Sequence, residues 1–328
     1  MAATLAAVAA LGTWGADGTG DSEGAATGLR IMVPNNPGGG YDVTARTSVA
    51  AMRDAGHAVE VFNLPGAGGT VGLGRLVAEK GNGKLAMQMG QGVVGSVCAH
   101  SSRVTLADTT PIALLLEEPD IIVVPDDSPY TELGQLIEDW KAAPDDIVVG
   151  GGSSPGGPDH LASMLMAQAV GLEPRRVEYA PFDGGGPLLA SVLSAKVTFG
   201  MSGVSEHIDQ VRAGRLRVLA VTGPERLESV NAPTLREAGV DVEVRNWRGV
   251  VAPPGISDAE RQELVDVYTE MHRSRQWRAA LRRNGWHDTF LAGDEFGVFI
   301  RRQTERVESV LGRIGLPCEE SRAVRTQV

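Results

Sequence analysis

The segment LRIMVPNNPGGGYDVTARTSVAAMRDA, residues 29–55, passes from an apolar run through a glycine-rich loop into a helix-like stretch. The run Leu29–Val33 is rich in the apolar residues of a buried strand, and Val43–Ala55 contains neither Gly nor Pro. A strand, a loop and a helix in this order form the first half of a βαβ unit. The segment therefore predicts an α/β fold with largely parallel sheets.

The same alternation continues along the chain. Strands are predicted at Leu29–Val33, Ala58–Phe62, Lys84–Met89, Ile121–Val124, Asp146–Val149, Arg176–Tyr179, Val197–Met201, Leu216–Val221 and Val242–Arg245. Helices are predicted at Val43–Ala55, Thr131–Lys141, Asp159–Val170, Pro187–Ser194, Asp258–Ser274, Arg275–Asn284 and Asp294–Gly312. Each predicted element ends near Gly, Pro, Asn, Asp or Ser, which favour turns and helix caps.

Length and two interruptions predict the domain organisation. A chain of 328 residues exceeds the size that one core usually serves. Pro-containing stretches at Val124–Tyr130 and Trp247–Gly255 break the alternation. We expect a discontinuous first domain of residues 29–125 and 247–328, a second domain of residues 126–246, and a hinge of two strands between them.

Three glycine-rich loops lie between strand-like and helix-like segments, at Pro37–Asp42, Gly151–His160 and Asp183–Pro187. Glycine has no Cβ, so backbone N–H groups can approach a ligand closely, and the helix that follows adds partial positive charge. Loops of this kind hold a carboxylate or a phosphate without Arg or Lys. They predict a binding cleft for an anion.

The chain contains partial matches to motifs of hydrolases and nucleotide-binding enzymes, but each match lacks a residue or a spacing that the chemistry needs. Gly152–Gly156 matches the G-x-S-x-G pattern of hydrolases around Ser154, but the next residue, Pro155, lacks the N–H that an oxyanion hole needs. Gly66–Gly72 misses the dinucleotide spacing, and Gly81–Leu85 lacks the Ser or Thr of a P-loop. The six His residues show no zinc-type pairing. We expect no catalytic residue, cofactor or metal.

The net charge, the N-terminal sequence and the cysteines indicate which partners the protein can bind and where in the cell it works. The net charge of −11 opposes binding to nucleic acid, and no apolar run reaches 18 residues. The run Ala2–Leu11, followed by a Gly-rich stretch to Gly28, has the form of a signal-peptide core and a tether, although no Lys or Arg precedes Arg30. Cys98 and Cys318 are either buried thiols or a pair.

Eight motifs follow one another along the chain: VPNNPGGGYDVTAR (33–46), NLPGAGGTVG (63–72), GGGSSPGGPDHLA (150–162), YAPFDGGGPLL (179–189), VTFGMSG (197–203), GRLRVLAVT (214–222), APTLREAG (232–239) and WRGVVAPPG (247–255). In this order and spacing they resemble the substrate-binding receptors of tripartite tricarboxylate transporters, also called the Bug family. The resemblance covers residues 29–316.

This resemblance implies a type II periplasmic-binding-protein fold, in which two α/β domains close on a small carboxylate and deliver it to membrane permease subunits. It also implies an exported, extracytoplasmic and monomeric receptor that breaks no bond; a role in feeding a signalling partner is the alternative. The residues expected to contact the ligand are Asn35, Asn36, Gly38, Gly39, Gly40, Tyr41, Asp42, Ser153, Ser154, Gly156, Gly157, Asp159, His160, Phe182, Gly184 and Gly185. Among them, Asp42 and His160 also suit purely structural roles at helix starts.

Overall fold

A computed structural model describes residues 28–315 and Cys318, so the predicted signal and tether lie outside the described residues except for Gly28. The first elements are β1 (Leu29–Val33), α1 (Gly40–Asp54), β2 (Val59–Asn63), α2 (Thr70–Ala78), β3 (Leu85–Gly90), α3 (Gln91–Ala99) and β4 (Thr110–Pro125). The middle of the chain forms α4 (Leu133–Ala142), β5 (Val148–Gly151), α5 (Pro158–Ala169), β6 (Glu178–Pro181), α6 (Gly185–Leu193), β7 (Phe199–Gly203), α7 (Val204–Arg212) and β8 (Leu216–Val221). The last elements are β9 (Arg245–Ala252), α8 (Asp258–Arg273), α9 (Arg275–Asn284), β10 (Leu291–Ala292) and α10 (Gly293–Arg313).

The strands form two half-sheets that share β4. In the first half-sheet the order is β2-β1-β3-β9-β4, with β10 also paired to β4. The second half-sheet continues from β4 through β7 and β5 to β6, and β8 pairs with β4 as well. Residues Thr110–Pro119 of β4 pair with β9, whereas Asp120–Pro125 pair with β7 and β8. One long strand therefore connects the two halves.

Strand direction differs between the outer and the central strands. The pairs of β1 with β2 and β3 are parallel, as are the pairs of β5 with β6 and β7. All pairs that involve β4 or β9 are antiparallel. The expectation of largely parallel sheets is thus correct for the outer strands and wrong at the centre, where β4 and β9 run between the halves in opposite directions.

Each half-sheet has apolar clusters on its faces. Trp277 and Trp286 pack 5.8 Å apart in a cluster of the first half, and Trp247 contacts Phe296 edge-on at 6.1 Å in another. In the second half Trp140 meets Phe199 edge-on at 5.5 Å. Large aromatic side chains bury much apolar area, and the cluster around Trp247 also includes Leu161 and Met164 of α5, so it joins the two halves.

The seven predicted helices are all present, but three others were not predicted. Of these, α2 and α3 contain internal glycines, which are weak helix formers, and α7 begins directly after a strand at Gly203. Ser257 caps α8 as its sequence suggests, since its Oγ accepts a hydrogen bond from the Glu260 N–H at 3.2 Å.

Two strand predictions were wrong in extent. The prediction limited β4 to Ile121–Val124, because Glu117–Asp120 interrupts the apolar pattern, yet the strand has 16 residues. The prediction placed a strand at Val242–Arg245 and a break from Trp247, whereas β9 spans Arg245–Ala252 and the prolines follow its end. Central strands are covered on both faces, so buried polar residues can occur within them when they find partners.

Cys98 and Cys318 form a disulfide, with Cα atoms 4.8 Å apart. The bond joins the end of α3 to the segment that follows α10. Of the two interpretations that the sequence allowed, the structure has the pair and not the buried thiols.

Candidate ligand-binding cleft

A cleft of about 540 Å³, part of it open to solvent, lies where the two half-sheets meet. Its walls come from loops after β1, β5 and β6, from α3 and α7, and from β9. The lining residues are Pro34, Asn35, Gly40, Tyr41, Gly68, Gly92, Ser96, Gly152, Ser153, Ser154, Pro158, Asp159, Phe182, Asp183, Glu206, Asn246 and Arg248.

The first glycine loop leads into α1 without a side-chain cap. Gly39 occupies the cap position with φ −74°, and Gly38 has φ +86°, a value that favours glycine. The N–H of Gly38 donates to Asp42 Oδ2 at 2.9 Å. This bond to Asp42 therefore fixes the conformation of the loop. The backbone N–H groups of the first turn of α1 point out of the N-terminal end of the helix, which faces the cleft.

Asp42 shapes this loop and does not line the cleft. Its carboxylate is 3% exposed and accepts hydrogen bonds from Arg46 Nε and Asn63 Nδ2, both at 2.9 Å. Burial alone would raise the pKa of Asp42, but the bonds from Arg46, Gly38 and Asn63 together lower it below its usual value. A charged Asp42 thus fixes the loop from behind.

The second glycine loop enters α5 in a similar way. Gly157 caps the helix with φ −73°, Pro158 occupies the first turn, and Gly156 has φ +85°. Ser153 Oγ accepts a bond from the Asp159 N–H at 3.3 Å, and the Tyr179 hydroxyl donates to the Ser153 carbonyl at 2.7 Å. These contacts set the loop so that Gly152–Ser154 face the cleft.

His160 supports the second loop from the protein interior. Its Nδ1 accepts a hydrogen bond from the Gly156 N–H at 3.2 Å, and its ring packs edge-on against Tyr179 at 4.8 Å. Burial lowers the pKa of His160 to about 4, so the ring is neutral at neutral pH. The same bond leaves Nδ1 engaged with the loop and not with Ser154, which disfavours a Ser–His pair at this position.

The carboxylate of Glu206 lies at the N-terminal ends of helices that face the cleft. Its Oε2 accepts the Gly185 N–H at the start of α6 at 2.5 Å, and the Gly40 N–H at the start of α1 also favours the charged form of the carboxylate and so lowers its pKa. Burial, and next the charge of Asp159, raise the pKa of Glu206 to about 8 against these bonds. A side chain from the second half-sheet thus reaches a helix of the first.

Arg248 crosses between elements at the floor of the cleft. It forms an ion pair with Glu118 and donates to the Gly40 carbonyl at 2.8 Å and to Thr44 Oγ1 at 2.9 Å. Its Nη2 also lies 3.8 Å from Glu206 Oε1. Burial lowers the pKa of Arg248 to about 10, which leaves it charged at neutral pH.

Further carboxyl groups are buried around this floor. Asp159 is 3% exposed, and burial raises its pKa to about 7 in spite of hydrogen bonds from Ser153 and the Gly152 N–H. Asp120 is fully buried, and burial together with the charges of Asp159 and Glu206 raises its pKa well above the usual value. The floor is therefore acidic, with one arginine beside it.

Several contacts join the two walls directly. Asn36 Nδ2 donates to Asp183 Oδ2 at 2.5 Å, across 147 positions of the sequence. A Cβ on Gly184 would lie 3.1 Å from the Cα of Gly39, and a Cβ on Gly95 would lie 1.7 Å from the Gly156 carbonyl oxygen. The walls meet here through glycines that leave no room for a side chain.

The structure brings seven of the sixteen predicted contact residues to the cleft lining, namely Asn35, Gly40, Tyr41, Ser153, Ser154, Asp159 and Phe182. The other nine lie beside it, in the same loops and helix starts: Asn36, Gly38, Gly39, Asp42, Gly156, Gly157, His160, Gly184 and Gly185. All three glycine loops contribute residues to the cleft lining.

Three polar lining residues were not predicted from the sequence, namely Glu206, Asn246 and Arg248. Asp183 belongs to the third loop that the sequence predicted at the cleft, although it was not among the sixteen expected contact residues. For Asn246 and Arg248, a polar residue on each side of Trp247 in a run that proves to be a central strand was the available signal. Glu206 carried no comparable signal, because its role depends on the packing of α7.

The described part of the chain contains neither a metal-binding cluster nor a membrane-spanning helix. Among residues 28–315 and Cys318, no group of three or more His, Cys, Asp or Glu side chains is arranged to hold a metal ion. No helix in the described part of the chain is both long and apolar enough to span a membrane.

Comparison with known proteins gives consistent matches. The model of the tripartite tricarboxylate transporter family receptors matches residues 44–316. A UPF0065 protein in the tcbD-tcbE intergenic region of Pseudomonas sp. strain P51 is 29% identical over 234 residues, 68% of this chain and 67% of that protein. Rpa4515 of R. palustris, solved with adipate, superposes with a TM-score of 0.82 at 22% identity over 88% of this chain and 97% of its own. MatC from Rhodopseudomonas palustris, solved with malate, superposes with a TM-score of 0.76 at 23% identity, over 87% of this chain and 98% of its own. The two structures share this fold.

Proposed function

Because the chain belongs to the tripartite tricarboxylate transporter receptor family, we propose that it captures a small carboxylate in the cleft and delivers it to the permease subunits of such a transporter. The observation that carries the proposal is the convergence of three glycine-rich helix starts, those of α1, α5 and α6, on one cleft. Helix N-termini present backbone N–H groups and partial positive charge, which suit a carboxylate.

Closure follows from the arrangement of the loops on opposite walls. We propose a first domain of residues 29–125 and 247–328 and a second of residues 126–246, connected through β4 and β9. A ligand that touches both walls binds the closed form more tightly than the open form, and this difference in affinity drives closure. No bond of the ligand is broken, so the protein acts as a receptor and not as an enzyme.

The chemical class of the ligand is proposed from the family and from related structures. A dicarboxylate or a tricarboxylate such as citrate can reach N–H groups on both walls at once, and two proteins with this fold were solved with malate and adipate. Ordered water between ligand and backbone would let one scaffold accept acids of different length.

We further propose that the protein works outside the cytoplasm as an exported monomer. The disulfide between Cys98 and Cys318 supports this location, because disulfides persist in oxidising compartments. Its net charge of −11 is compatible with a soluble receptor that is repelled by nucleic acid.

A thermal-shift titration of the full chain tests the proposal. The acids to compare are citrate and other tricarboxylates, C4 to C6 dicarboxylates, acidic amino acids and aromatic acids. A ligand that binds only the native state raises the melting temperature with concentration, by mass action. We expect such a rise for at least one carboxylate; no rise with any of them would contradict carboxylate capture.

A further inference from the structure

Helix α9 carries a basic face in a chain that is acidic as a whole. Its sequence, RQWRAALRRN, contains four Arg and no Asp or Glu, whereas the net charge of the chain is −11. The buried residues Trp277, Ala280 and Leu281 turn the opposite side of the helix to the interior. The exposed side, which we call the arginine face, consists of Arg275, Arg278, Arg282 and Arg283.

The arginine face has no ion-pair partner among residues 28–315. Arg278 donates instead to the backbone carbonyl of Arg273 at 2.6 Å. By contrast, the exposed Arg176, Arg226 and Arg236 each pair with a carboxylate, at 3.1, 2.8 and 3.1 Å. Like charges three or four residues apart on a helix repel each other and destabilise it slightly. The arrangement therefore does not serve the stability of α9, and negative charges on a partner would offset the repulsion.

A groove of about 710 Å³, part of it open to solvent, begins at the C-terminal end of the arginine face. One wall comes from α1 and α9, which pack on the first half-sheet, and the other from α7, which packs on the second. Arg212 of α7 donates to the Arg283 carbonyl at 3.3 Å and so joins the two walls. Glu206 lines both this groove and the ligand cleft. An occupant of the groove would thus contact both halves of the molecule.

The unpaired charge at this surface is positive. The two carboxyls that line the groove each have a cation nearby, since Asp209 lies 3.8 Å from Arg212 and Glu206 lies 3.8 Å from Arg248. Arg283, on the opposite wall, has no carboxylate beside it among the residues that the structure describes. The groove and the adjoining arginine face therefore attract an anionic partner.

The same surface suits a protein segment better than a membrane. Helices that bind the membrane interface insert large apolar side chains between the lipids. In the described part of the chain the exposed large apolar side chains are Val71, Leu193 and Val298, and α9 contributes none of them. A concave groove beside a row of guanidinium groups can accept Asp and Glu side chains, which Arg binds through paired hydrogen bonds.

We propose that the arginine face and the groove at its end dock an acidic extracytoplasmic segment of the permease. This inference rests on the proposed function and adds to it the surface and the charge of the partner contact. Carboxylates of the segment pair with Arg278, Arg282 and Arg283, and the chain continues into the groove between α9 and α7. Because the groove has one wall on each half, the segment binds one relative arrangement of the halves more tightly than any other.

Calorimetric titration of the full chain with hexa-L-glutamate, acetylated and amidated at its ends, tests the charge of the surface. The salt concentration is kept low, because salt screens exposed charges. We expect the triple variant Arg278→Gln, Arg282→Gln, Arg283→Gln to bind this peptide at least tenfold more weakly than the unaltered protein. A peptide that does not bind the unaltered protein, or that binds the variant equally well, would overturn the inference.

The matched control is the triple variant Arg176→Gln, Arg226→Gln, Arg236→Gln, which loses the same charge from other exposed positions. Its affinity for the peptide should fall less than twofold. Equal losses in the two triple variants would show that net charge alone decides, against a docking surface. Loss of binding to phosphatidylglycerol vesicles in the α9 variant, without any effect on the peptide, would assign the arginine face to the membrane and overturn the inference.

Photo-crosslinking in the cells that produce the protein tests the identity of the partner. Benzoylphenylalanine in place of Ala279, an exposed residue of α9, should form an adduct with a permease subunit, identified by mass spectrometry. The same group in place of Ala142, at the exposed end of α4, should not. An adduct only with lipid or with a second copy of the chain, or no adduct from position 279, would overturn the inference.

The outcome for docking is separate from the outcome for capture. Thermal-shift titration with carboxylates reports on the cleft, to which the arginine face contributes no lining residue among those described. If carboxylates bind and the docking tests fail, only the docking inference falls. If no carboxylate binds, the proposed capture falls whatever the peptide does.

Discussion

At the scale of single residues, Arg248 organises the floor of the cleft. It is 1% exposed, yet it links β9 to Glu118 in β4 and to Gly40 and Thr44 in α1. A buried guanidinium is tolerated only when its charge is paired with a buried carboxylate. Removing either member of the pair leaves the other as an unpaired buried charge, which destabilises the fold.

Replacing Arg248 by Met should therefore lower the free energy of unfolding by about 3–5 kcal/mol, because Glu118 would remain buried without its cation. Urea unfolding followed by circular dichroism measures this change. Arg236→Met is the matched control, since Arg236 pairs with Asp241 and Glu243 at the surface, where a pair contributes about 0–1 kcal/mol. Equal losses in the two variants would contradict the role given to Arg248.

The buried carboxyls predict an unusual dependence of stability on pH. Burial raises the pKa of Asp159 to about 7 and of Glu206 to about 8, so the folded protein holds protons that the unfolded chain releases. Their contribution to stability is complete below about pH 4 and is lost as pH rises through 7 and 8. Burial lowers the pKa of His160 and His207 to about 4, so their opposite contribution changes only below about pH 6.5.

Between pH 6.5 and 8.5 the ligand-free protein should thus become less stable, with a slope of about 1.4 kcal/mol per pH unit for each proton that these carboxyls still hold in the folded state, which flattens above about pH 8. Urea midpoints at several pH values measure the slope. Asp159→Asn should make it shallower, and a stability that is constant or increases over this range would show that these carboxyls are not buried as described.

At the scale of secondary-structure elements, the cleft is closed by the contact of α3 with the loop before α5. Gly95 in α3 faces the Gly156 carbonyl oxygen so closely that an added Cβ would lie 1.7 Å from it. The obstacle is backbone, which cannot move aside as a side chain can. In the proposed open form this contact would be absent.

Gly95→Ala should therefore weaken ligand binding at least tenfold, which is ~1.4 kcal/mol, with little loss of stability in the free protein. Calorimetry and thermal unfolding measure the two effects. Gly134→Ala in α4 is the matched control, because no atom lies within 4 Å of its added Cβ, and binding should stay unchanged. Normal affinity in the Gly95 variant would mean that the ligand binds without this contact.

The disulfide also fixes the position of one secondary-structure element, α3, relative to another part of the chain. It ties the end of α3, whose Gly92 and Ser96 line the cleft, to the segment after α10 across 220 positions. Removing a native disulfide typically costs about 2–5 kcal/mol. Cys98→Ser with Cys318→Ser should lower the free energy of unfolding by this amount in urea titrations; a double variant as stable as the parent would contradict a stabilising role.

Elements with a simple pattern could be predicted from the sequence, and those defined by tertiary contacts could not. Leu29–Val33 was predicted with its observed bounds because an apolar run before a glycine loop has few other interpretations. Helix α3 was missed because its glycines serve close approach to the opposite wall, against helix propensity. In the same way the glycine loops indicated an anion site, whereas Glu206 and Arg248 reach the cleft only through packing of α7 and β9.

At the scale of the whole molecule, two half-sheets share one strand, and the cleft lies between them. In the proposed closure, β4 and β9, which run from one half to the other, would bend as a hinge while the clusters around Trp277 and Trp140 stay intact. The contacts of Asn36 with Asp183 and of Gly39 with Gly184 join the two walls. Under the proposed closure they belong to the closed form, and the ligand sets the balance between open and closed forms by what it adds across the cleft.

The most direct test of capture by closure is small-angle X-ray scattering of the full chain, free and saturated with a carboxylate that binds in calorimetry. We predict that the radius of gyration decreases when the ligand is added, and that Gly95→Ala prevents the decrease. Identical scattering of the free and the saturated protein would contradict closure of two domains on the ligand.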